Sequence, residues 1–385
     1  MLKHNVFLKF KKIIKNFKNC NKYNYIDIKS KEDLKKIPII TKEDLKKFNY
    51  HDYPKKPKIV WNTSGITGGS SLIAISNKSY DEFLNRTGWY LNNYAHPYLK
   101  SDKKLIFNII DSFSDSYFIN QGFSVISSGR SNFEAQEIDL MAQRCEQIKP
   151  NILFGSAPFI YDLLRRCSIG NDVEVIAFGG TMFGADFLKT LKKVAPNAKI
   201  METYSATECM CMAWRNPFKE EFFTVVGSGN IFLEIINKHG EILEEGEGVL
   251  LLTDFFNESL PFIRYKLGDK VILKKEGKNI LVKPIGRIDQ LLKIGNDLVP
   301  HNEIVQNLIS ILKHDLFKFE IYHKKNSVND CIIFYLDDLS KKKEISSYFQ
   351  HEFEIKLLFR KYKNNIKTTS RGKKIHIIDK RNIKK

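Results

Sequence analysis

The stretch from Ile59 to Ser71, IVWNTSGITGGSS, indicates how the fold begins. Its first three residues form an apolar run typical of a buried strand, and a loop of Gly, Ser and Thr follows shortly after. Glycines let backbone N–H groups approach an anion closely, and the neighbouring hydroxyls add donors. The pattern predicts a strand followed by a phosphate-cradling loop, without the Lys-Ser/Thr ending of a P-loop. The alternative is a plain surface loop.

In the middle of the chain, short apolar runs alternate with amphipathic segments. Examples of the runs are Leu105–Ile110, Ile152–Phe154 and Val173–Phe178, and Glu134–Lys149 is predicted to be a helix that Pro150 closes. Such alternation is typical of an α/β fold whose strands are mostly buried.

Further along, the pattern changes to closely spaced strands with turns at Lys238–Gly240 and Glu276–Gly277, which predicts an antiparallel subdomain over about residues 222–285. A Lys-rich remainder follows a joint near Gly286. The sequence therefore predicts three parts: a large layered α/β N-terminal domain that includes the antiparallel subdomain (1–286), a hinge (287–289) and a small α+β C-terminal domain (290–385).

The net charge of +18 is unevenly distributed, with +11 in residues 1–60, +9 in residues 290–385 and −2 in the long middle. A nucleic-acid enzyme more often lines its catalytic groove with cations, so no specific nucleic-acid partner is expected.

Cysteine usage and the start of the chain both favour a cytoplasmic protein. The six cysteines are scattered rather than framing the chain, which suits reduced thiols. No run approaches the roughly 18–20 apolar residues that span a bilayer, and the start, MLKHNVFLKF, does not read as a secretory signal.

Two short motifs combine groups that suit a nucleotide. Tyr204-Ser205-Ala206-Thr207-Glu208 brings together an aromatic ring, hydroxyls and a carboxylate, which can stack on a base, contact a phosphate and hold Mg²⁺. Arg264-Tyr265-Lys266-Leu267-Gly268-Asp269 ends on an acidic residue that can accept both ribose hydroxyls. Each motif is also compatible with an ordinary turn.

Two more motifs lie towards the C-terminus: Gly286–Glu303 around the predicted hinge, and Thr368–Lys374, which contains Gly372-Lys373. A lysine on a glycine-hinged loop can bring a positive charge to a reacting phosphate. In so basic a tail, a solvated turn is the alternative.

Taken in order, these motifs resemble the adenylate-forming superfamily, specifically the branch of phenylacetate–CoA ligase and the CapK-like enzymes associated with capsular polysaccharide. The resemblance begins at Ile37–Leu45, IPIITKEDL, and continues through the motifs above over nearly the whole chain. It implies a large N-terminal domain and a small C-terminal domain that rotates between two half-reactions.

The resemblance also implies a role for particular residues. Tyr204 would stack on the adenine, Thr207 would contact the α-phosphate, and Glu208 would hold Mg²⁺. Asp289 would be the hinge, and Lys373 the adenylation lysine, with Lys374 as the alternative. The β- and γ-phosphates of ATP would be bound by Thr63, Ser64, Gly65, Thr67 and Gly68. The edge of the adenine would be bordered by Gly179 and Gly180, and the ribose would be bound by Asp269 and Arg287.

Several positions depart from the family pattern. Ile66 replaces a hydroxyl residue and Ser205 a glycine, while Ser70, Thr181 and Gln290 also differ from the usual residue. Cys209-Met210-Cys211-Met212 lacks the second ligand pair that tetrahedral Zn²⁺ needs, so core or pocket-lining sulfur and no zinc are expected.

The resemblance implies activation of a small carboxylic acid by ATP and Mg²⁺, followed by transfer of the acyl group to a thiol (CoA or a carrier) or to an amine. Amide or ester ligation in surface-polysaccharide assembly without CoA is the alternative, and a catalytically inactive membrane-associated scaffold is a third hypothesis. His96 and Asp115 are candidates to approach the acyl donor, although each can equally be structural.

The N-terminal residues 6–17 place apolar side chains at helical spacing, with lysines on the other face. Such a helix can pack on its own domain or lie on an anionic membrane. Packing is expected, with at most weak membrane-surface contact, and peripheral binding at the inner membrane face is the alternative to a purely cytoplasmic location.

Overall fold

The structure is a computed structural model. It describes residues 4–17, 23, 25–48, 54–62, 72–100, 102–109, 115–128, 135–180, 185–209, 212–226, 229–288, 291–294, 297–312, 317–323, 330–336, 338–352, 355–361 and 377–381.

The α-helices are α1 (His4–Asn16), α2 (Lys42–Leu45), α3 (Asn77–Tyr90), α4 (Asp115–Asn120), α5 (Ala135–Ile148), α6 (Ala157–Leu164), α7 (Ala185–Val194), α8 (His301–Leu312) and α9 (Lys342–Glu352). Short 3₁₀ turns occur at Glu32–Lys36, His96–Tyr98 and Ile169–Asn171, and a π turn at Leu91–Ala95 follows α3. Within the described ranges, none of the helices combines the length and the apolar character that crossing a bilayer requires.

The β-strands are β1 (Ile59–Asn62), β2 (Leu72–Ile75), β3 (Leu105–Asn108), β4 (Ser124–Ser127), β5 (Ile152–Gly155), β6 (Val175–Gly179), β7 (Lys199–Tyr204), β8 (Ala213–Arg215), β9 (Phe223–Val225), β10 (Ile231–Ile236), β11 (Ile242–Leu243), β12 (Gly246–Asp254), β13 (Tyr265–Glu276), β14 (Asn279–Arg287), β15 (Leu291–Ile294), β16 (Asp297–Pro300), β17 (Phe317–His323), β18 (Asp330–Leu336), β19 (Lys356–Lys361) and β20 (Ile377–Asp379). Helices and strands alternate along the middle of the chain, so the predicted α/β class is confirmed.

The chain folds into two compact units. Unit 1 contains the described residues of Met1–Thr63, Gly68–Pro97 and Met201–Ile285, and unit 2 those of Tyr98–Ile200 and Gly286–Lys385. The predicted large domain is thus divided between the two units, and its proposed boundary, the hinge and the rotation of the C-terminal domain stay predictions.

Unit 1 is built on antiparallel strands in the order β11-β10-β12-β13-β14-β9-β8-β7, together with the hairpin β1–β2. The predicted antiparallel subdomain is therefore present. Its two predicted turns are also present: Gly240 and Gly277 have φ angles of +81° and +61°, a region that glycine enters without steric cost.

Unit 2 contains the parallel strands β6-β5-β3-β4, whose central members are buried along their length because helices cover both faces of such sheets. A second sheet, β19-β18-β17-β20, packs against α9 through the aromatic rings of Phe319, Phe334 and Phe349. Helix α5 ends just before Pro150, as predicted, with Lys149 at a φ of +52°.

Helix α1 packs its apolar face into the core of unit 1. Phe10, Ile13, Ile14 and Phe17 are at most 2% exposed, and the Phe10 ring lies edge-on to Phe232 and Phe255 at centroid distances of 5.5 and 5.0 Å. Because this face is covered by protein, it is not available to insert into a membrane.

Candidate functional site

Strand β7 ends at Tyr204, and a turn follows before β8 returns antiparallel to it, with Tyr204 opposite Ala213. The Cys209 N–H donates to the Ala206 carbonyl at 3.2 Å and so tightens this turn. Thr207 and Glu208 are half-buried at its tip, whereas Cys209 is buried. The local structure therefore presents a hydroxyl and a carboxylate at the end of a strand.

Tyr204 and Asp269 are joined directly. The Tyr204 hydroxyl donates to Asp269 Oδ2 at 2.5 Å, although 65 residues separate them along the chain. Asp269 is 8% exposed and lies on β13, one residue after Gly268, which has a φ of +86°. The two residues that the sequence assigned to the adenine and to the ribose thus lie side by side.

Glu208 has a matching contact that the sequence analysis did not predict. The hydroxyl of Tyr265, a 3% exposed residue at the start of β13, donates to Glu208 Oε1 at 3.2 Å. A signal for it was present in the sequence, because Tyr265 belongs to the same Arg264–Asp269 motif as the predicted ribose ligand Asp269. The turn and the strand are therefore connected by two reciprocal tyrosine–carboxylate pairs, Tyr204–Asp269 and Tyr265–Glu208.

The residue before Tyr265 anchors the start of β13. Arg264 has a φ of +52°, which is uncommon for a residue with a side chain, and its guanidinium donates two hydrogen bonds of 2.9 Å to Glu234. It also donates to the carbonyls of Leu34 and Ile37 at 2.7 and 3.3 Å. Both partners of this ion pair are buried, so the pair is a structural support for the strand.

The motif at Ile37–Leu45 supports the start of the same strand. Ile40 forms a parallel bridge with Tyr265: its N–H donates to the Arg264 carbonyl and its carbonyl accepts from the Lys266 N–H. Thr41 and Asp44 then cap α2 reciprocally, which sets the direction of the chain after the bridge. The motif therefore contributes to the site by holding β13 in place.

A buried polar cluster lies behind the turn that carries Glu208. Arg86 of α3 is 2% exposed, and its Nη2 donates to the Cys209 carbonyl at 2.6 Å. Asp254, at the end of β12, is fully buried and accepts from Ser79 Oγ and from the Phe256 N–H. Burial raises the pKa of Asp254, while these hydrogen bonds and the Arg86 charge act in the opposite direction.

The other described site residues lie in unit 2. Gly179 ends β6, and Gly180 follows with a φ of +84°, so a sharp turn leaves the strand where adenine binding was predicted. Arg287 is the half-buried last residue of β14. The remaining predicted residues lie outside the described part of the chain: Thr63, Ser64, Gly65, Thr67, Gly68, Asp289, Lys373 and Lys374.

The strands on either side of the predicted phosphate loop are described. Strands β1 and β2 pair antiparallel, with Asn62 opposite Leu72, so the predicted strand before the loop is present and residues 63–71 connect the two strands of a hairpin.

Cys209 belongs to the core of unit 1, as its interpretation as core sulfur anticipated. It is 3% exposed, its Sγ lies 3.8 Å from the Met212 sulfur, and burial raises the pKa of its thiol. Cys211 lies outside the described residues. Among the described residues, no group of three or more His, Cys, Asp or Glu side chains is arranged to hold a metal ion.

The two residues predicted to approach the acyl donor, Asp115 and His96, lie at the starts of helical segments. Asp115 begins α4 and accepts a hydrogen bond of 2.6 Å from Asn108 Nδ2 at the end of β3. His96 begins the short 3₁₀ turn after α3. A cavity of about 370 Å³ in unit 2 is lined by residues such as Tyr98, Lys103 and Glu174, and by none of the predicted site residues.

The fold, with an antiparallel region, a parallel sheet and a second α+β sheet towards the C-terminus, is similar to that of solved acyl-CoA ligases and synthetases. A 2-hydroxyisobutyryl-CoA ligase structure, in the postadenylation state with an acyl-AMP, superposes with a TM-score of 0.73 at 13% identity, covering 98% of this chain and 89% of that one. The O-succinylbenzoate CoA synthetase of Bacillus subtilis, in complex with ATP and magnesium, superposes with a TM-score of 0.58 at 14% identity, covering 82% and 68%.

At the level of sequence, the chain is similar to the protein CapK of Staphylococcus aureus. The two are 24% identical over an alignment that covers 91% of this chain and 81% of CapK. No family model matches the chain.

Proposed function

We propose that this protein is an ATP-dependent ligase that activates a carboxylic acid as an acyl-adenylate. The observation that carries the proposal is the reciprocal arrangement of Tyr204–Asp269 and Tyr265–Glu208 at the end of β7, within a fold shared with acyl-adenylate-forming enzymes.

The donor set suits a magnesium nucleotide. Mg²⁺ in nucleotide sites is held by one or two carboxylates together with phosphate oxygens and water, which matches Glu208 beside the hydroxyl of Thr207. Asp269 offers carboxylate oxygens to the two ribose hydroxyls, and its bond to Tyr204 sets the position of the ring that would stack on adenine. When bound, the magnesium ion would neutralise charge on the phosphate oxygens.

In the proposed reaction, a substrate carboxylate attacks the α-phosphorus of ATP, and the bond from that phosphorus to the oxygen of the leaving pyrophosphate breaks. Negative charge grows on the phosphoryl oxygens, so a positive charge from Lys373 and a hydrogen bond from Thr207 would stabilise the transition state. The mixed anhydride is hydrolysable, and the C-terminal domain carrying Lys373 would exclude water from it.

The acyl group then passes to a second nucleophile. A thiol, CoA or that of a carrier, is the first candidate because both superposed structures are CoA ligases or synthetases. Similarity to CapK favours a second candidate, ligation to an amine or hydroxyl in surface-polysaccharide assembly. The proposed partners are thus a small carboxylic acid and a thiol or amine acceptor, with the protein acting in the cytoplasm.

Hydroxylamine trapping across a panel of carboxylic acids tests the proposal, with pyrophosphate release measured in parallel. Hydroxamate and pyrophosphate should form in equal amounts and require both ATP and Mg²⁺. Asp269→Asn should abolish most of this activity, while the exposed Glu247→Gln, which changes the same charge on unit 1, should not. If no acid yields either product and ATP does not bind in calorimetry, the protein is an inactive scaffold instead.

A further inference from the structure

The turn that carries Glu208 is held on two sides by residues that come from distant parts of the chain. Arg86 reaches the turn from α3, 123 residues earlier, and Tyr265 reaches it from β13, 57 residues later. All of these residues belong to unit 1.

On the inner side, Arg86 fixes the backbone. Its Nη2 donates to the carbonyl of Cys209, the residue that directly follows Glu208, at 2.6 Å. The Cys209 side chain is itself packed in the core, so the residue next to Glu208 is held both by packing and by a charged donor. Charge-assisted hydrogen bonds of this length are stronger than neutral ones.

A buried guanidinium is costly unless a carboxylate balances it. Asp254 is also fully buried in this unit and is oriented by Ser79 and by the Phe256 N–H, and the charge of Arg86 opposes the rise in its pKa that burial causes. The second buried arginine of this unit, Arg264, contacts a carboxylate at 2.9 Å through two nitrogens, whereas Arg86 directs a nitrogen at the backbone beside Glu208.

On the outer side, Tyr265 fixes the carboxylate itself. Its hydroxyl donates to Glu208 Oε1 at 3.2 Å, and the tyrosine cannot move freely because it is 3% exposed and begins a strand that Ile40 and Arg264 anchor. One carboxylate oxygen of Glu208 is therefore held in position by a neutral donor, which does not cancel the charge of the carboxylate.

These contacts matter because Mg²⁺ tolerates little departure from octahedral geometry. Residues that orient a metal-ligating carboxylate typically contribute 10–100-fold to metal affinity or activity. We propose that Arg86 and Tyr265 are positioning residues that together orient Glu208 for the magnesium ion of the nucleotide, an inference that rests on the proposed function.

The test is calorimetric titration of α,β-methylene-ATP, which cannot be cleaved at the reacting bond, with and without Mg²⁺. Wild-type protein should bind the analogue more tightly when Mg²⁺ is present. Tyr265→Phe should raise the Mg²⁺ concentration needed for half of this effect by about 10-fold or more, while the affinity for the metal-free analogue stays within about twofold.

Tyr335→Phe is the matched control, since its hydroxyl also donates to a glutamate, Glu320 Oε2, at 3.1 Å, but in unit 2. It should leave the Mg²⁺ response unchanged. Equal Mg²⁺ responses in Tyr265→Phe and Tyr335→Phe would overturn the inference while leaving the proposed function intact. A wild-type protein that binds the analogue equally with and without Mg²⁺ would contradict the proposed function and this inference with it.

Arg86→Met should weaken the Mg²⁺ response to a similar degree and also lower the melting temperature, because Asp254 is left buried without its cation. The double variant Arg86→Met/Asp254→Asn removes that carboxylate charge and should recover part of the melting temperature without recovering the Mg²⁺ response. Recovery of both together would show that Arg86 stabilises the fold and does not position Glu208.

Discussion

Two groups of acidic and tyrosine side chains in this molecule look alike in composition and differ in what surrounds them. In unit 1, Glu208 and Asp269 accept hydrogen bonds from the hydroxyls of Tyr265 and Tyr204. In unit 2, on the second sheet, Glu320 accepts from Tyr322 and Tyr335, and in addition from two lysines, Lys318 at 3.1 Å and Lys380 at 3.0 Å.

The lysines determine the chemistry of the second group. Burial alone would raise the pKa of Glu320, but the hydrogen bonds from Tyr322, Lys380 and Lys318 outweigh it and lower the pKa to about 2. The same contacts raise the pKa of Lys380. Glu320 is therefore a satisfied anion that ties β17 to β18 and to the residue after β20, and it suits a structural role.

Around Glu208 and Asp269, the tyrosine hydroxyls orient the carboxylates without neutralising them. A neutral donor fixes the direction of a carboxylate and does not cancel its negative charge. The hydrogen-bond partners of a carboxylate, more than the carboxylate itself, therefore distinguish a candidate binding residue from a structural one.

Substitution of Lys373, the predicted adenylation lysine, should reduce activity most. Lys373→Ala should reduce adenylation by about 10²–10³-fold with little change in ATP affinity, because its charge acts mainly on the developing transition state. Lys374→Ala should do much less. Lys380→Met, which removes a cation already bound to Glu320, should lower stability and leave adenylation nearly unchanged. Single-turnover adenylation rates decide, and equal losses at Lys373 and Lys374 would contradict the assignment.

The same substitution at both glutamates should have opposite consequences in the two groups. Glu208→Gln should reduce Mg²⁺-dependent adenylation by about 100-fold with a small change in stability, because an amide is a poor ligand for a hard cation. Glu320→Gln should lower stability and leave Mg²⁺-dependent adenylation nearly unchanged. It should cost about 2 kcal/mol of unfolding free energy, less than a fully buried pair because the Lys380 side chain is 36% exposed.

Acid should remove the difference in stability between wild type and Glu320→Gln. Because the pKa of Glu320 is lowered in the folded protein, its stabilisation is fully present above the unfolded-state value of about 4.3 and is lost as the pH falls through about 2. Urea titrations of wild type and Glu320→Gln at pH 7 and near pH 2 should therefore converge at the lower pH. A difference that persists there would show that Glu320 acts through its shape and not its charge.

The smallest effect is expected at the exposed lysines of α1, in contrast to the half-buried Lys380. Replacing Lys11, Lys12 and Lys15 with Ser should change stability by no more than about 0.5 kcal/mol, whereas Phe10→Ala should cost about 3–4 kcal/mol. Sedimentation with anionic vesicles at physiological salt should show little binding, since only electrostatic attraction of about 1 kcal/mol per lysine is available. Strong pelleting that the triple substitution abolishes would establish a membrane contact.

Features that depend on neighbouring residues could be predicted from the sequence alone. Helical spacing predicted that Phe10, Ile13 and Phe17 share one face of a helix. The apolar runs at Ile152–Phe154 and Val173–Phe178 contain strands, and the predicted turn at Lys238–Gly240 is present, with Gly240 at a positive φ. The α/β class and the resemblance to adenylate-forming ligases also followed from the order of motifs, because periodicity and short motifs are local properties that folding preserves.

Contacts between residues far apart along the chain could be identified only in the folded structure. Tyr204 reaches Asp269 across 65 residues, Tyr265 reaches Glu208 across 57, and Arg86 reaches Cys209 across 123, and each contact depends on strand order and register rather than on local pattern. The same holds for α1, whose amphipathic pattern suits a membrane and a core equally well until Phe232 and Phe255 are seen to cover it. A hydrophobic face specifies that it must be buried, and the rest of the fold specifies against what.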